Sequence, residues 1–86
     1  MRINYNGWAN YDTWLTNLNI MNTSEIYTSV MDAFNRKCAW QEIEPQNKGR
    51  RALILRFTIK QYKYLFIDKI NFSKVDYYEI LEALEE

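Results

Sequence analysis

The sequence predicts a mainly α-helical fold, a small bundle of about four helices in one domain. Large apolar side chains recur at i, i+3, i+4 and i+7 in several segments, which is the spacing of one helix face. Only the stretch from Trp40 to Gly49, which contains the single proline, clearly interrupts this pattern. A chain of 86 residues can supply only one core, and an apolar fraction of 48% indicates a packed globule.

The first predicted helix spans about residues 10–21. Its apolar stripe comprises Tyr11, Trp14, Leu15 and Leu18. Asn10 is suited to cap the helix, because its side-chain oxygen can accept hydrogen bonds from the first free amides. We expect this stripe, and Trp8 just before it, to face the core. The alternative is an exposed aromatic surface that stacks bases or grips a partner, and Trp8 is the freest of the three aromatics to be exposed.

Two further helices have equally regular stripes. One spans about residues 24–39, with Tyr27, Val30, Met31, Phe34 and Cys38 on one face. The other spans about residues 76–85, with Tyr77, Ile80, Leu81 and Leu84 on one face and acidic residues opposite. We therefore predict that Phe34, Tyr77 and Leu81 belong to the core.

The middle of the chain is ambiguous. Pro45 and the polar residues after it are typical of a loop. A strand-like alternation begins at Leu53, where Leu53, Leu55, Phe57 and Ile59 alternate with Ile54, Arg56, Thr58 and Lys60. A short β-hairpin formed by 40–44 and 51–57 is therefore one interpretation, and residues 51–57 could also be helical. Helical spacing resumes further on, and we predict a helix over about residues 58–70.

The composition argues against an enzyme. The chain contains no histidine, the commonest general acid or base, and its two glycines form no phosphate-binding loop. Cys38 is the single cysteine and lies on a predicted apolar stripe, so we interpret it as a small core residue rather than a reactive thiol. The C-terminal glutamates are typical of a solvated helix face, since calcium and magnesium need several converging oxygens. We expect no catalytic residue, no metal site and no cofactor.

Charge is segregated along a chain whose formal net charge is zero. Eight basic and two acidic residues lie between Arg36 and Lys63, whereas five acidic residues and no basic residue lie from Asp76 onward. The best candidates for binding a partner or nucleic acid are basic side chains with tyrosines between them, namely Lys48, Arg50, Arg51, Arg56, Lys60, Lys63, Tyr62 and Tyr64. The competing interpretation is a solvated segment that forms salt bridges with the C-terminal acids.

Two segments resemble a known family. The pattern Trp8-x-Asn10-Tyr11-x-Thr13-Trp14 is similar to the N-terminal signature of small, mostly uncharacterised proteins carried by phages and plasmids. Val75-Asp76-Tyr77-Tyr78-Glu79-Ile80 is similar to that family's closing Val-Asp-Trp-x-Glu-Ile segment, with Tyr77 in place of Trp. The resemblance implies a helical fold and a mobile-element origin, and it implies no activity.

Two functional hypotheses follow. The first is a non-catalytic interaction module that binds and blocks a host effector, in the manner of anti-CRISPR or antirestriction inhibitors. Its partner would be a host protein or a nucleoprotein complex. The second is a small nucleic-acid-binding protein that uses the basic segment 48–63. A third, imitation of DNA by the acidic C-terminal helix, has only five clustered negative charges to rely on.

The sequence also predicts where the protein acts. The first residues lack the apolar region of a signal peptide, and no apolar run approaches the roughly 20 residues that span a bilayer. We expect a protein of the host-cell cytoplasm with no membrane partner. The sequence leaves its oligomeric state open.

Overall fold

The computed structural model describes residues 7–85, and this part of the chain is a four-helix bundle. The helices are α1 (Tyr11–Asn22), α2 (Ser24–Trp40), α3 (Lys48–Gln61) and α4 (Tyr77–Leu84). Two short 3₁₀ turns, Lys63–Leu65 and Phe72–Lys74, lie in the connection between α3 and α4. The predicted mainly helical fold is confirmed.

The core forms where α3 packs against α2 and α4, and α1 packs against α2 and α4. Phe34, Tyr77 and Leu81 are buried in it, as the sequence predicted. Tyr27 of the predicted α2 stripe is instead exposed. Trp8 is half-buried and packs against the core. The fully buried apolar centre consists of Ile20, Ile26, Val30, Phe34, Leu55, Ile59, Ile80 and Leu81.

Helix α1 turns a different face inward from the one predicted. Asn10 caps the helix as expected, with its Oδ1 accepting from the Thr13 amide at 2.8 Å. The buried residues, however, are Thr13, Leu15, Thr16, Asn19 and Ile20. Tyr11 is 48% exposed and packs against the Trp14 ring, while Trp14 and Leu18 are only half-buried. Placing Tyr11, Trp14 and Leu18 in the core was therefore wrong for Tyr11 and only partly right for the other two.

The reason for this rotation is that polar side chains of α1 bind the connection between α3 and α4. Asn19 Oδ1 accepts from the Ile67 amide at 3.4 Å, and Asp12 Oδ1 accepts from the Asn71 amide at 3.0 Å. A hydrogen bond of this kind stabilises a fold by about 0.5–1.5 kcal/mol. Turning the aromatic stripe fully inward would take these acceptors away from the connection.

The third helix begins ten residues before the predicted one. Residues 48–61 form α3, so the predicted helix over 58–70 was wrong in its bounds and overlaps α3 only at residues 58–61. The alternative interpretation, a hairpin of 40–44 with 51–57, is not supported, because residues 48–61 are helical. Asn47 starts the helix by accepting from the Arg50 amide at 3.2 Å. Apolar residues occupy both sides of α3, with Leu55 buried and Leu53 exposed, and this produced the misleading alternation. Beyond α3, amides such as that of Ile67 bind α1 instead of continuing a helix.

Helix α4 agrees with the prediction to within one residue at each end. Asp76 caps it by accepting from the Glu79 amide at 3.2 Å. Tyr77 lies in its first turn and donates its hydroxyl hydrogen to the Phe72 carbonyl at 2.9 Å. The helix is thereby attached to the second 3₁₀ turn at its N-terminal end.

Candidate interaction surface

The predicted basic group divides into residues that are used inside the fold and residues that face outward. Arg51 belongs to the first kind. Its Nε and Nη2 donate to Glu85 Oε2 at 2.9 and 2.6 Å, and its guanidinium lies 5.1 Å from the centre of the Phe34 ring. Only 14% of the Arg51 side chain is exposed. The salt-bridge interpretation of the basic segment is therefore correct for Arg51.

Arg50 and Lys48 lie at the start of α3, and both are exposed. Arg50 Nη2 donates to Gln41 Oε1 at 3.2 Å, across the loop that joins α2 to α3. A neutral amide partner leaves the positive charge of Arg50 available to a ligand. Arg50 therefore remains a candidate for binding, whereas Arg51 does not.

An outward-facing surface on α3, here called the outer face, combines cations with apolar side chains. It comprises Arg50, Leu53, Arg56, Phe57 and Lys60, whose spacing places them opposite the buried residues Leu55 and Ile59. Leu53 is 46% exposed and Phe57 is 58% exposed. Among residues 7–85, neither Arg56 nor Lys60 forms an ion pair. The helix itself contains no acidic residue.

The tyrosines of the predicted group behave differently from each other. Tyr62 is half-buried and packs against the core, whereas Tyr64 is exposed. Their ring centres lie 6.2 Å apart. Lys63, between them, is exposed in the first 3₁₀ turn. Tyr64 and Lys63 remain candidates for contact with a partner, while Tyr62 is chiefly structural.

A groove between α3 and the start of α4 lies next to the outer face. Its volume is about 310 Å³. Buried Ala52, Val75 and Tyr77 line it together with the more exposed Leu53, Tyr78 and Arg56, and Gly49 and Asp76 complete the lining. Gly49 lets the Tyr78 hydroxyl approach the α3 backbone closely, since a Cβ atom at Gly49 would lie 3.2 Å from that hydroxyl. The groove offers an apolar depression beside the cations of α3.

A second exposed surface lies at the end of α2. Trp40 is 85% exposed and, with Arg36 and Lys37, lines a depression of about 340 Å³. Arg36 lies 3.9 Å from the Asp32 carboxylate, and Lys37 Nζ donates to Gln61 Oε1 at 2.6 Å. Arg36 therefore has an exposed carboxylate partner, whereas Lys37, like Arg50, has a neutral amide partner and keeps its positive charge available. Three residues line this depression, compared with eight that line the groove beside the outer face.

The two segments that resemble the phage and plasmid family meet in the structure and form a joint. Ala9 N donates to Glu79 Oε1 at 2.7 Å, and Asn10 Nδ2 donates to the Lys74 carbonyl at 2.8 Å. Thr13 Oγ1 accepts from the Asp76 amide at 2.8 Å. Asn10 and Thr13 of the N-terminal pattern thus hold the start of α4 in place. Their roles are structural, and they supply no binding site.

Cys38 is the one cysteine of the chain. Cys38 is buried, and this burial raises the pKa of its thiol, so the nucleophilic thiolate is disfavoured. Within residues 7–85 there is no cluster of acidic or sulfur side chains that could hold a metal ion. The same residues contain no helix that is both long and apolar enough to cross a bilayer.

Tyr77 should be recognisable in a pH titration. Burial raises the pKa of its phenol from 10.0 to about 12, an effect that the nearby Arg56 guanidinium partly opposes. Because the folded-state pKa is raised, this group's contribution to stability is fully present below pH 10 and is lost as the pH rises towards about 12. We expect one of the seven tyrosines to ionise only near pH 12, as followed by tyrosinate absorbance.

The matched variant is Tyr77→Phe, in which the tyrosine ionisation near pH 12, here called the late step, should be missing. Its free energy of unfolding should also fall less above pH 10. Tyr78→Phe, one residue further on and exposed, should retain the late step. A late step that survives in Tyr77→Phe would show that another tyrosine is responsible.

Sequence reasoning missed the apolar half of the candidate surface. The sequence leaves Leu53 and Phe57 in a segment that could be strand or helix, and it gives neither Tyr78 nor Trp40 a role in binding. Apolar spacing was the available signal, since Ala52, Leu55 and Ile59 already fill one helix face. Leu53 and Phe57 then fall on the opposite face of the same helix.

Comparison of the chain with protein-family models, curated proteins and solved structures found no match.

Proposed function

We propose that this protein is a non-catalytic interaction module of a phage or mobile element, which binds and blocks an effector of a host defence system in the host cytoplasm. The outer face of α3 is the contact surface. One observation supports this choice above the others: Leu53 and Phe57 are exposed on an ordered helix, between Arg50, Arg56 and Lys60. The inhibitory role and the defence target rest on the resemblance to phage and plasmid proteins.

Exposed apolar side chains favour a protein partner. Removing apolar surface from water contributes roughly 25 cal/mol of favourable free energy per Å². Aromatic and arginine side chains are also enriched among the residues that dominate the binding energy of protein interfaces. Phe57 supplies the aromatic group and Arg56 supplies the arginine, on adjacent residues of one helix face. Such a surface can anchor a protein at Phe57 while its charges orient the approach.

Nucleic-acid binding is the alternative, and the cations of α3 favour it. Arg56 and Lys60 could contact phosphates while Phe57 or Tyr64 stacks on a base. Two features make it the weaker candidate. Arg51 forms an ion pair with Glu85 within the fold and is not available to a phosphate. Leu53 lies in the middle of the outer face, where a phosphate backbone offers it no apolar contact.

A capture experiment with matched variants tests the proposed surface. The tagged protein and its Phe57→Gln variant are each used to isolate partners from host lysate. We expect at least one host protein to bind the unmodified chain and to be reduced about tenfold or more with Phe57→Gln, equivalent to about 1.4 kcal/mol. Adding the purified protein should then inhibit that effector's activity, and the variant should not.

Two controls give this experiment its specificity. Ile67→Gln removes an even more exposed apolar side chain, 84% against 58% for Phe57, at a position outside α3 and should leave capture unchanged. Trp40→Gln tests the second exposed surface. If capture depends on Trp40 rather than Phe57, the outer face is not the contact surface. If no protein is retained by the unmodified chain above a mock column, the proposed function fails.

A titration with labelled DNA and RNA at rising salt tests the alternative. Arg56→Glu is the informative variant, because Arg51 is already paired within the fold. Salt-sensitive binding that is lost in Arg56→Glu and kept in Lys69→Glu, an exposed charge outside α3, would favour the nucleic-acid hypothesis. We expect neither nucleic acid to bind at moderate salt.

A further inference from the structure

We infer that the groove between α3 and α4 receives an acidic protein segment, which inserts one apolar side chain beside Leu53 and Tyr78 and places carboxylates on Arg56 and Lys60. This inference rests on the proposed function, since it names the kind of protein surface that the outer face recognises. It follows from the shape of the groove, the sign of the charge beside it and the position of Phe57.

The groove is suited to a single apolar side chain. Its deeper lining is apolar or aromatic, from Ala52, Val75 and the Tyr77 ring, and the Tyr77 hydroxyl is already bonded to the Phe72 carbonyl. A polar group entering there would lose its water without gaining a partner, at a cost of about 1–3 kcal/mol. An inserted aliphatic or aromatic side chain would instead cover Leu53, which is now 46% exposed.

The charge around the groove selects the residues that flank this anchor. Arg56 lines the groove, and Lys60 follows one turn later on the same helix face. Asp76 is the acidic residue in the lining, and its Oδ1 already accepts from the Glu79 amide at the start of α4. An incoming segment therefore meets this one carboxylate, at the positive end of the α4 dipole, and two cations without ion-pair partners among residues 7–85. Carboxylates on the partner complement them, and basic residues would be repelled.

Phe57 extends the contact beyond the groove. It lies one turn from Leu53 along the same face, so an occupant anchored beside Leu53 also covers the Phe57 ring. Covering both side chains requires a segment with at least two apolar positions and acidic residues beside them. A nucleic acid supplies the negative charge but has no aliphatic side chain for the groove.

Selection from a displayed library of random peptides tests this inference with defined probes. The complete protein is the bait, and enriched peptides are synthesised and measured by fluorescence anisotropy. We expect enriched peptides to combine acidic residues with two or more large apolar residues. We expect Leu53→Gln and Arg56→Glu each to weaken binding about tenfold or more, while Ile67→Gln and Lys69→Glu leave it unchanged.

A charge exchange makes the test sharper. A peptide whose acidic residues are replaced by lysine should lose binding to the unmodified protein and regain it with an Arg56→Glu/Lys60→Glu variant. In a ¹⁵N–¹H spectrum the acidic peptide should shift the Gly49 amide signal, which reports on the groove, and should leave that of Gly7, outside it, unchanged. Circular dichroism of each variant shows whether the helices are retained.

The possible outcomes separate this inference from the proposed function. Enriched peptides that are basic or neutral, or that bind Leu53→Gln as well as the unmodified chain, overturn the inference. A host protein whose capture depends on Phe57 would still support the proposed function in that case. Binding of a labelled oligonucleotide that shifts Gly49 and competes with the acidic peptide would assign the groove to nucleic acid and overturn both.

Discussion

Replacing Phe34 by alanine is expected to lower the free energy of unfolding by about 3–5 kcal/mol, the usual cost of removing a buried phenylalanine ring. Phe34 is 1% exposed and lies in the centre of the core. The Arg51 guanidinium also lies over the Phe34 ring, so the substitution removes the cation–π contact of the arginine that pairs with Glu85. A domain of this size has on the order of 5 kcal/mol of stability in total. Most of it would be lost.

Urea unfolding followed by circular dichroism measures this loss. The matched control is Phe57→Ala, the same chemical change at a residue that is 58% exposed, which should cost less than about 1 kcal/mol. If the two variants lost equal stability, Phe57 would be packed as tightly as Phe34. The outer face would then not be available to a partner.

Replacing Thr13 by valine is expected to lower the free energy of unfolding by about 1–3 kcal/mol, although the two side chains have nearly the same shape. Thr13 is fully buried, and its Oγ1 accepts from the Asp76 amide at 2.8 Å. Valine provides no acceptor, so a partly buried amide at the start of α4 loses its partner. The joint between the two family-like segments should loosen, and amide hydrogen exchange in the first turn of α4 should accelerate.

Thr58→Val provides the control for this prediction. Thr58 is also fully buried, but its hydroxyl donates to the Ile54 carbonyl of its own helix at 2.7 Å. That carbonyl retains its helical hydrogen bond when the hydroxyl is removed, so the change should be close to neutral. Equal costs at Thr13 and Thr58 would mean that the hydrogen bond to Asp76 is not what holds the joint.

Apolar periodicity was a reliable signal where one face of a helix is clearly more apolar than the rest. In α2 and α4 one face is clearly more apolar than the rest, and the predicted boundaries and the burial of Phe34, Tyr77 and Leu81 were correct. In α3 apolar residues occupy both faces, so periodicity could not distinguish a helix from a strand. In α1 the more apolar face is the less buried one, because Asp12, Thr13 and Asn19 bind backbone groups elsewhere in the chain.

The sequence likewise predicted only part of the candidate surface. Sequence alone located the basic segment, since charge can be counted without a fold. It could not separate Arg51 from Arg56, because the partner of Arg51 is Glu85, 34 residues further along the chain. Nor could it show that Leu53 and Phe57 lie beside Arg56 on one helix face. That required the position at which α3 begins, which depends on the Asn47 cap.

The sequence by itself determined that this protein is helical and that Phe34, Tyr77 and Leu81 lie in its core, because both depend on local spacing of apolar residues. Only the tertiary structure decided which face of α1 points inward, where α3 begins and ends, and which cations remain available to a partner. These depend on hydrogen bonds and ion pairs between residues far apart in the chain, such as Thr13 with Asp76 and Arg51 with Glu85. Side chains that meet only after folding leave no periodic pattern in the sequence.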